Sequence, residues 1–220
     1  MNIILQHWTG DLGALEILSS DNISHYAKQI GAHYELIRGD AFRYGLAPQS
    51  QKVVMLDSAF NRYDTVVMID LDVFTLKGMV GDIFEHEGTG RHGYLQHLLV
   101  RKLCSMFPEV GDPKYSYWGG SIYKMDWDLR ERLREHLADF DLSMFNDDFH
   151  DEGIMHALAV KAEVGGRYFS HDRWNMPSFE PDVDSAYTIH IRPRKMDNGK
   201  LVPALKMDVY KDLVERGLIE

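Results

Sequence analysis

Residues 65–74 read TVVMIDLDVF. The run Val66-Val67-Met68-Ile69 is too uniformly apolar for a strand with one face in water. Such a run belongs to a central strand covered on both faces. Where it gives out stand Asp70 and Asp72. In an extended strand residues two apart face the same side, so the two carboxylates are expected to project together at the strand's end.

The sequence around this stretch has an α/β rhythm. Ile3-Ile4-Leu5 followed by His7-Trp8-Thr9-Gly10 reads as a buried strand running into a loop. Ile23, Ala27 and Ile30 recur at helical spacing, with Asp21 as N-cap and Gly31 to end the helix. Residues 34–37 supply a second strand, and Val53, Leu56, Phe60 and Tyr63 mark one face of another helix with Ser50 near its start. Downstream, the spacing predicts a short strand at residues 93–95, an extended segment over YSYWGGSIYKM (115–125), and a helix bearing Leu129, Leu133 and Leu137. A short helix over 152–161, a strand over 186–191 and a closing helix over 208–216, packed through Val209, Leu213 and Val214, complete the pattern. With no repeat or convincing linker, the expectation is one α/β domain over residues 1–220, its mixed, mainly parallel central sheet flanked by helices.

The 220 residues are 45% hydrophobic and 26% charged, which suits a packed globular chain rather than a disordered one. A net charge of −10 without a Lys/Arg block argues against nucleic acid as a partner. An acidic protein that handles phosphates needs a cation between itself and them. No stretch reaches the ~18 consecutive apolar residues of a membrane span. The start MNIILQHWTGDLG lacks the basic and apolar segments of a signal peptide, and Cys104 has no cysteine partner, so a cytoplasmic protein is expected.

Paired carboxylates beyond a strand end repel each other unless a cation lies near. Oxygen ligands of this kind suit Mg²⁺ or Mn²⁺, either of which can bridge to a diphosphate. On its own, D-x-D reads equally well as a solvated acidic turn. Its surroundings favour chemistry. Residues 50–85, SQKVVMLDSAFNRYDTVVMIDLDVFTLKGMVGDIFE, resemble the helix–strand–DxD region of GT-A glycosyltransferases, notably the glycogenin and lipopolysaccharide-galactosyltransferase group (family 8) and small viral or bacterial relatives. Tyr117-Trp118-Gly119-Gly120-Ser121 resembles the family's aromatic-Asn-small-Gly segment. Asp151-Glu152-Gly153-Ile154-Met155 resembles its Asp-Gln-x-x-Leu helix start, and Ile189-His190 with Arg194 and Lys195 its C-terminal His motif.

The resemblance implies a metal-dependent hexosyl transfer from a nucleotide diphosphate donor, a UDP-sugar, to a carbohydrate or glycoconjugate hydroxyl, with retention of configuration. It implies Mn²⁺ (or Mg²⁺) on Asp72 and His190, with Asp70 on metal or ribose. Lys195 and Arg194 would neutralise the leaving diphosphate, His7, Trp8 and Thr9 hold the nucleotide, and Lys52 contact the donor. Gly119, Gly120, Asp151 and Glu152 would meet the donor sugar, with Asp151 the catalytic candidate. The pattern also departs from the family: Arg192-Pro193 stands where a glycine is usual, and Glu152 where glutamine is.

Trp118 and Trp174 read as core residues or as sugar-stacking platforms, and the acidic run through Asp147 and Asp148 as a solvated helix start. A haloacid-dehalogenase-type phosphatase also carries D-x-D after an apolar strand, but after its first strand and with a small hydroxyl residue where this chain has Phe74. A noncatalytic nucleotide-sugar-binding module is the third reading.

Overall fold

The computed structural model describes residues 1–79, 81–92, 96–165, 168–169 and 173–220. Its chain order opens with strand β1 (Asn2–Trp8), helix α1 (Ala14–Gln29) and strand β2 (His33–Arg38). Two 3-10 helices (Pro48–Leu56, Ser58–Phe60) lead to β3 (Thr65–Ile69) and β4 (Val73–Thr75). Then come β5 (Gly90–His92), α2 (Gln96–Met106), β6 (Trp118–Asp126), α3 (Trp127–Glu135) and α4 (His150–Lys161). Three short strands, β7 (Met176–Pro177), β8 (Thr188–His190) and β9 (Arg194–Asp197), are followed by β10 (Lys200–Pro203) and α5 (Lys206–Glu215).

The main sheet has the order β2-β1-β3-β6-β5. β1 pairs in parallel with β2 and with β3, while β6 runs antiparallel to both β3 and β5, so β6 alone opposes the other four. The expected mixed, mainly parallel sheet is what forms. Its central strands are buried on both faces: Ile3, Leu5, Val66 and Met68 join the core under α3, α4 and the first 3-10 helix, whereas Ile4, Val67 and Ile69 pack with Ile23, Tyr26 and Ala27 of α1. That two-sided burial is the physical reason for the unbroken apolar runs. The chain leaves β1 toward β2 on one side and returns to β3 on the other, so a crevice opens beyond the carboxyl ends of β1 and β3. A second sheet, β4-β8-β7, and the β9-β10 hairpin lie beside α5. Among the described residues, no helix is long and apolar enough to cross a membrane.

Several boundaries differ from expectation. α1 starts at Ala14, with Gly13 as a cap that offers no side chain, and Asp21 lies inside it. The helix expected through Val53 and Tyr63 is two 3-10 segments, because Asp57 turns extended and its side chain caps Ala59 N–H instead. Val214 is exposed on α5, and the strand expected at 93–95 lies outside the described residues, next to β5. The β9-β10 hairpin, absent from the expected elements, is closed by Asn198-Gly199, both with positive φ as its tight turn requires. Trp118 and Trp174 are fully buried, which makes them core rather than stacking platforms.

Buried His156 of α4 lies with Nδ1 2.9 Å from the Ser116 carbonyl, and its Nε2 accepts the Asp112 N–H at 3.3 Å. Only the neutral ring satisfies both, and burial holds it below the ordinary value of 6.5. The unfolded chain therefore takes up this proton first, so stability is lost as pH falls below 6.5. Urea titrations at about pH 7.5 and about pH 5.5 should show the loss, and His156→Leu should flatten it. An unchanged slope in the variant would assign the pH dependence to other groups.

Candidate functional site

The strand expected to run to Phe74 stops at Ile69 and resumes at Val73 in the other sheet. A straight strand cannot pair with β6 in one sheet and β8 in the other, so Asp70-Leu71-Asp72 makes the turn between them, with Val73 N–H donating to the Asp70 carbonyl at 3.2 Å. The carboxylates thus meet through a turn rather than through strand alternation. The same turn brings in β8: Val73 pairs with His190, and Ile191 N–H donates to the Asp72 carbonyl at 2.8 Å.

Ligand atoms of Asp70, Asp72 and His190 lie within 4.8 Å of one another, the one such cluster of potential metal ligands among the described residues. His190 Nε2 is 3.2 Å from Asp72 Oδ1, and both Asp72 Oδ1 and His190 Nδ1 are buried without a hydrogen-bond partner. Two carboxylates and an imidazole, with Asp72 Oδ1 and His190 Nδ1 both buried and unpartnered, fit a divalent cation. Lys206 Nζ sits 2.5 Å from Asp72 Oδ2. Burial alone would raise the Asp72 carboxyl, but His190 and Lys206 more than offset it and hold the group well below the usual carboxylate range.

On the other side of the turn, buried Lys52 donates to Asp70 Oδ1 at 2.8 Å and to the Gly120 carbonyl at 2.8 Å, and pairs with Asp151 Oδ2 at 3.1 Å. Its three N–H groups thus have three protein acceptors. Burial works against its charge, yet the carboxylates of Asp151 and Asp70 outweigh burial and push the ammonium above its ordinary value. Asp151, at the start of α4, also accepts the Tyr123 hydroxyl at 2.8 Å. Burial lifts both Asp151 and Glu152 above ordinary carboxylate values, with Lys52 pulling the other way.

The helix start and β6 approach closely at Gly120, whose N–H donates to Glu152 Oε1 at 2.8 Å. A Cβ there would stand 2.5 Å from Asp151 Oδ2. Gly120→Ala should displace Asp151 and cost about 1–3 kcal/mol by overpacking, with a larger proportional loss of activity than of stability. Melting temperature and turnover measured together test this, and an active, wild-type-like variant would show that the contact relaxes freely.

Two cavities meet at this cluster. One, of about 340 Å³, is lined by His7, Trp8 and Thr9 at the end of β1, with Glu16, Pro48 and Lys206. The other, of about 370 Å³, is lined by Tyr117, Gly120, His150, Asp151, Glu152 and His190 among others. Gln49, Lys52, Asp70 and Asp72 line both and form their common wall. His7 is anchored by its Nε2, 2.7 Å from the Gly39 carbonyl, and burial lowers its pKa. Gly119 lines neither cavity, and Arg194 and Lys195 stand exposed on β9 away from both linings.

Lys206 and Glu16 were not among the residues expected here. For Lys206 a signal existed: a lysine opens α5, where the helix dipole disfavours a cation, so it calls for an anionic partner.

No protein-family model matches the sequence, and no curated protein matches it. Among solved structures, the chain is similar to a glycosyltransferase involved in the glycosylation of the major capsid of PBCV-1, with 11% identity and a TM-score of 0.53 over 97% of this chain and 98% of that one. The fold is GT-A-like. Mouse xyloside xylosyltransferase 1 in its apo form aligns more loosely, with 11% identity and a TM-score of 0.46 over 86% of this chain and 97% of that one. A197 from STIV aligns at 12% identity and a TM-score of 0.40, over 92% of this chain and 93% of that one.

Proposed function

We propose that this chain is a single-domain, metal-dependent glycosyltransferase that moves a hexose-type sugar from a nucleotide diphosphate, a UDP-sugar, to an acceptor hydroxyl with retention. The observation that carries the reading is the shared wall of the two cavities. A nucleotide sugar is a nucleoside and a sugar joined by a diphosphate, and the Asp70–Asp72–His190 cluster lies where two such halves would join.

His7, Trp8 and Thr9 line the nucleoside half, while Asp151, Glu152 and Gly120 face the sugar half. Asp70, Asp72 and His190 would hold a divalent cation, which would supply Lewis-acid neutralisation of the leaving diphosphate. Asp151 borders the sugar and stabilises positive charge at the anomeric carbon, or attacks it as nucleophile. Lys52 opposes the burial that raises the Asp151 carboxyl and so favours its anion. Lys206, which lines the nucleotide cavity and carries its charge into it, is assigned the diphosphate in preference to Lys195 and Arg194.

A panel of nucleotide sugars, assayed for Mn²⁺-dependent donor hydrolysis and then for transfer with proton NMR of the first product, tests the proposal. Binding of UDP and metal without turnover of any donor would leave only a noncatalytic module. Inversion would remove the retaining assignment.

Thermal-shift titration separates the two lysines. UDP should stabilise the protein strongly only with Mn²⁺ present, and Lys206→Ala should cut that joint shift while Lys195→Ala leaves most of it. The opposite ranking would return the diphosphate to Lys195. His190→Ala should also shrink the joint shift, and a shift equal to wild type across the Mn²⁺ titration would make that histidine structural.

A further inference from the structure

The D-x-D turn is held from behind as well as filled from the front. Gln6 of β1 and Ser19 of α1 are both fully buried, and neither lines either cavity. Gln6 Nε2 lies 3.1 Å from the Asp70 carbonyl oxygen and 3.1 Å from Ser19 Oγ. Ser19 in turn donates to the Val73 carbonyl at 2.8 Å. The Tyr34 hydroxyl donates to Gln6 Oε1 at 2.9 Å and lies 2.7 Å from Ser20 Oγ, which fixes the amide's orientation.

These bonds take hold of the turn at both ends. Among the described residues, the Asp70 carbonyl otherwise receives only the 3.2 Å turn bond from Val73 N–H, and no other bond to the Val73 carbonyl bridges it to α1. Gln6 follows three fully buried apolar residues of β1, a place where an apolar side chain would pack without needing partners. A polar network there is stable only when every member is satisfied, and here its donors are aimed at the backbone that carries the two carboxylates.

We propose that Gln6 and Ser19 are positioning residues that set the metal affinity of Asp70 and Asp72 by fixing the turn's backbone. This rests on the metal reading above. Partners one step removed from a metal typically change its affinity by about 10–100-fold when lost.

The test is calorimetric Mn²⁺ binding in the presence of UDP for wild type, Gln6→Met, Ser19→Ala and Ser19→Thr, each with its melting temperature in metal-free buffer. The inference expects Mn²⁺ affinity to fall about tenfold or more in Gln6→Met and Ser19→Ala, with recovery in Ser19→Thr, which restores the hydroxyl. Wild-type affinity in Gln6→Met and Ser19→Ala, whatever their melting temperatures, would overturn it and leave the network a packing feature. Should Gln6→Met fail to fold, the Ser19→Ala and Ser19→Thr pair decides alone. Failure of the wild type to bind Mn²⁺ would instead overturn the metal reading itself.

Discussion

Asp72→Asn is expected to bring sugar transfer below detection while the chain still folds. Asparagine keeps the shape of the side chain but removes the charge that a cation requires, and a Lewis acid contributes several kcal/mol to the transition state. At ~1.4 kcal/mol per tenfold, that is roughly a thousandfold or more in rate. The surroundings of Asp72 add a cost that a surface carboxylate would not have. His190 at 3.2 Å and Lys206 at 2.5 Å both lose their anionic partner, worth about 1–3 kcal/mol of stability. Lys206 is partly exposed and rehydrates, which keeps the loss toward the lower end. The joint Mn²⁺–UDP thermal shift should vanish with the activity. Full activity in this variant would remove the metal from the mechanism.

The largest loss of stability is expected at Lys52. Lys52→Met fills similar space without the ammonium and leaves Asp151 buried beside Asp70, with, among the described residues, only the Tyr123 hydroxyl to offset its charge. Removing one partner of a buried ion pair costs about 3–5 kcal/mol, because the other charge stays desolvated. The carboxyl should then take up a proton, so the destabilisation should be partly relieved as pH falls and burial pushes Asp151 further up. A double variant, Lys52→Met with Asp151→Asn, should recover much of the stability and none of the activity. Equilibrium unfolding at two pH values measures both effects. If the single variant is as stable as wild type, Asp151 is already neutral and Lys52 serves Asp70 alone.

These two residues mark the boundary between what the sequence determined and what the tertiary structure decided. The apolar runs at Ile3-Ile4-Leu5 and Val66-Val67-Met68-Ile69 determined a two-sided central sheet, since no other packing hides both faces of such strands. The order of Asp70, Asp72, Asp151, Glu152 and His190 along the chain, together with the family resemblance, named residues that the fold brings to one cleft. Local patterns could not reveal that the strand through Asp70 and Asp72 breaks to serve two sheets. That break depends on β8, whose partner choice is a long-range event.

For the same reason, Lys52 read as a donor contact and not as the cation joining Asp70 to Asp151: its three acceptors come from β6, α4 and the turn, which sequence distance hides. Lys206 was passed over despite its place at a helix start, and Arg194 and Lys195 were expected there instead, because no local pattern reveals that the Asn198-Gly199 hairpin carries residues 194 and 195 into solvent and returns the chain to the cleft only at the start of α5. Residue type and period settle which side chains must be buried and which carry charge. Which charges share a desolvated space is settled by tertiary packing, because the Coulomb energy between them depends on ångström separations and local dielectric that no local pattern encodes.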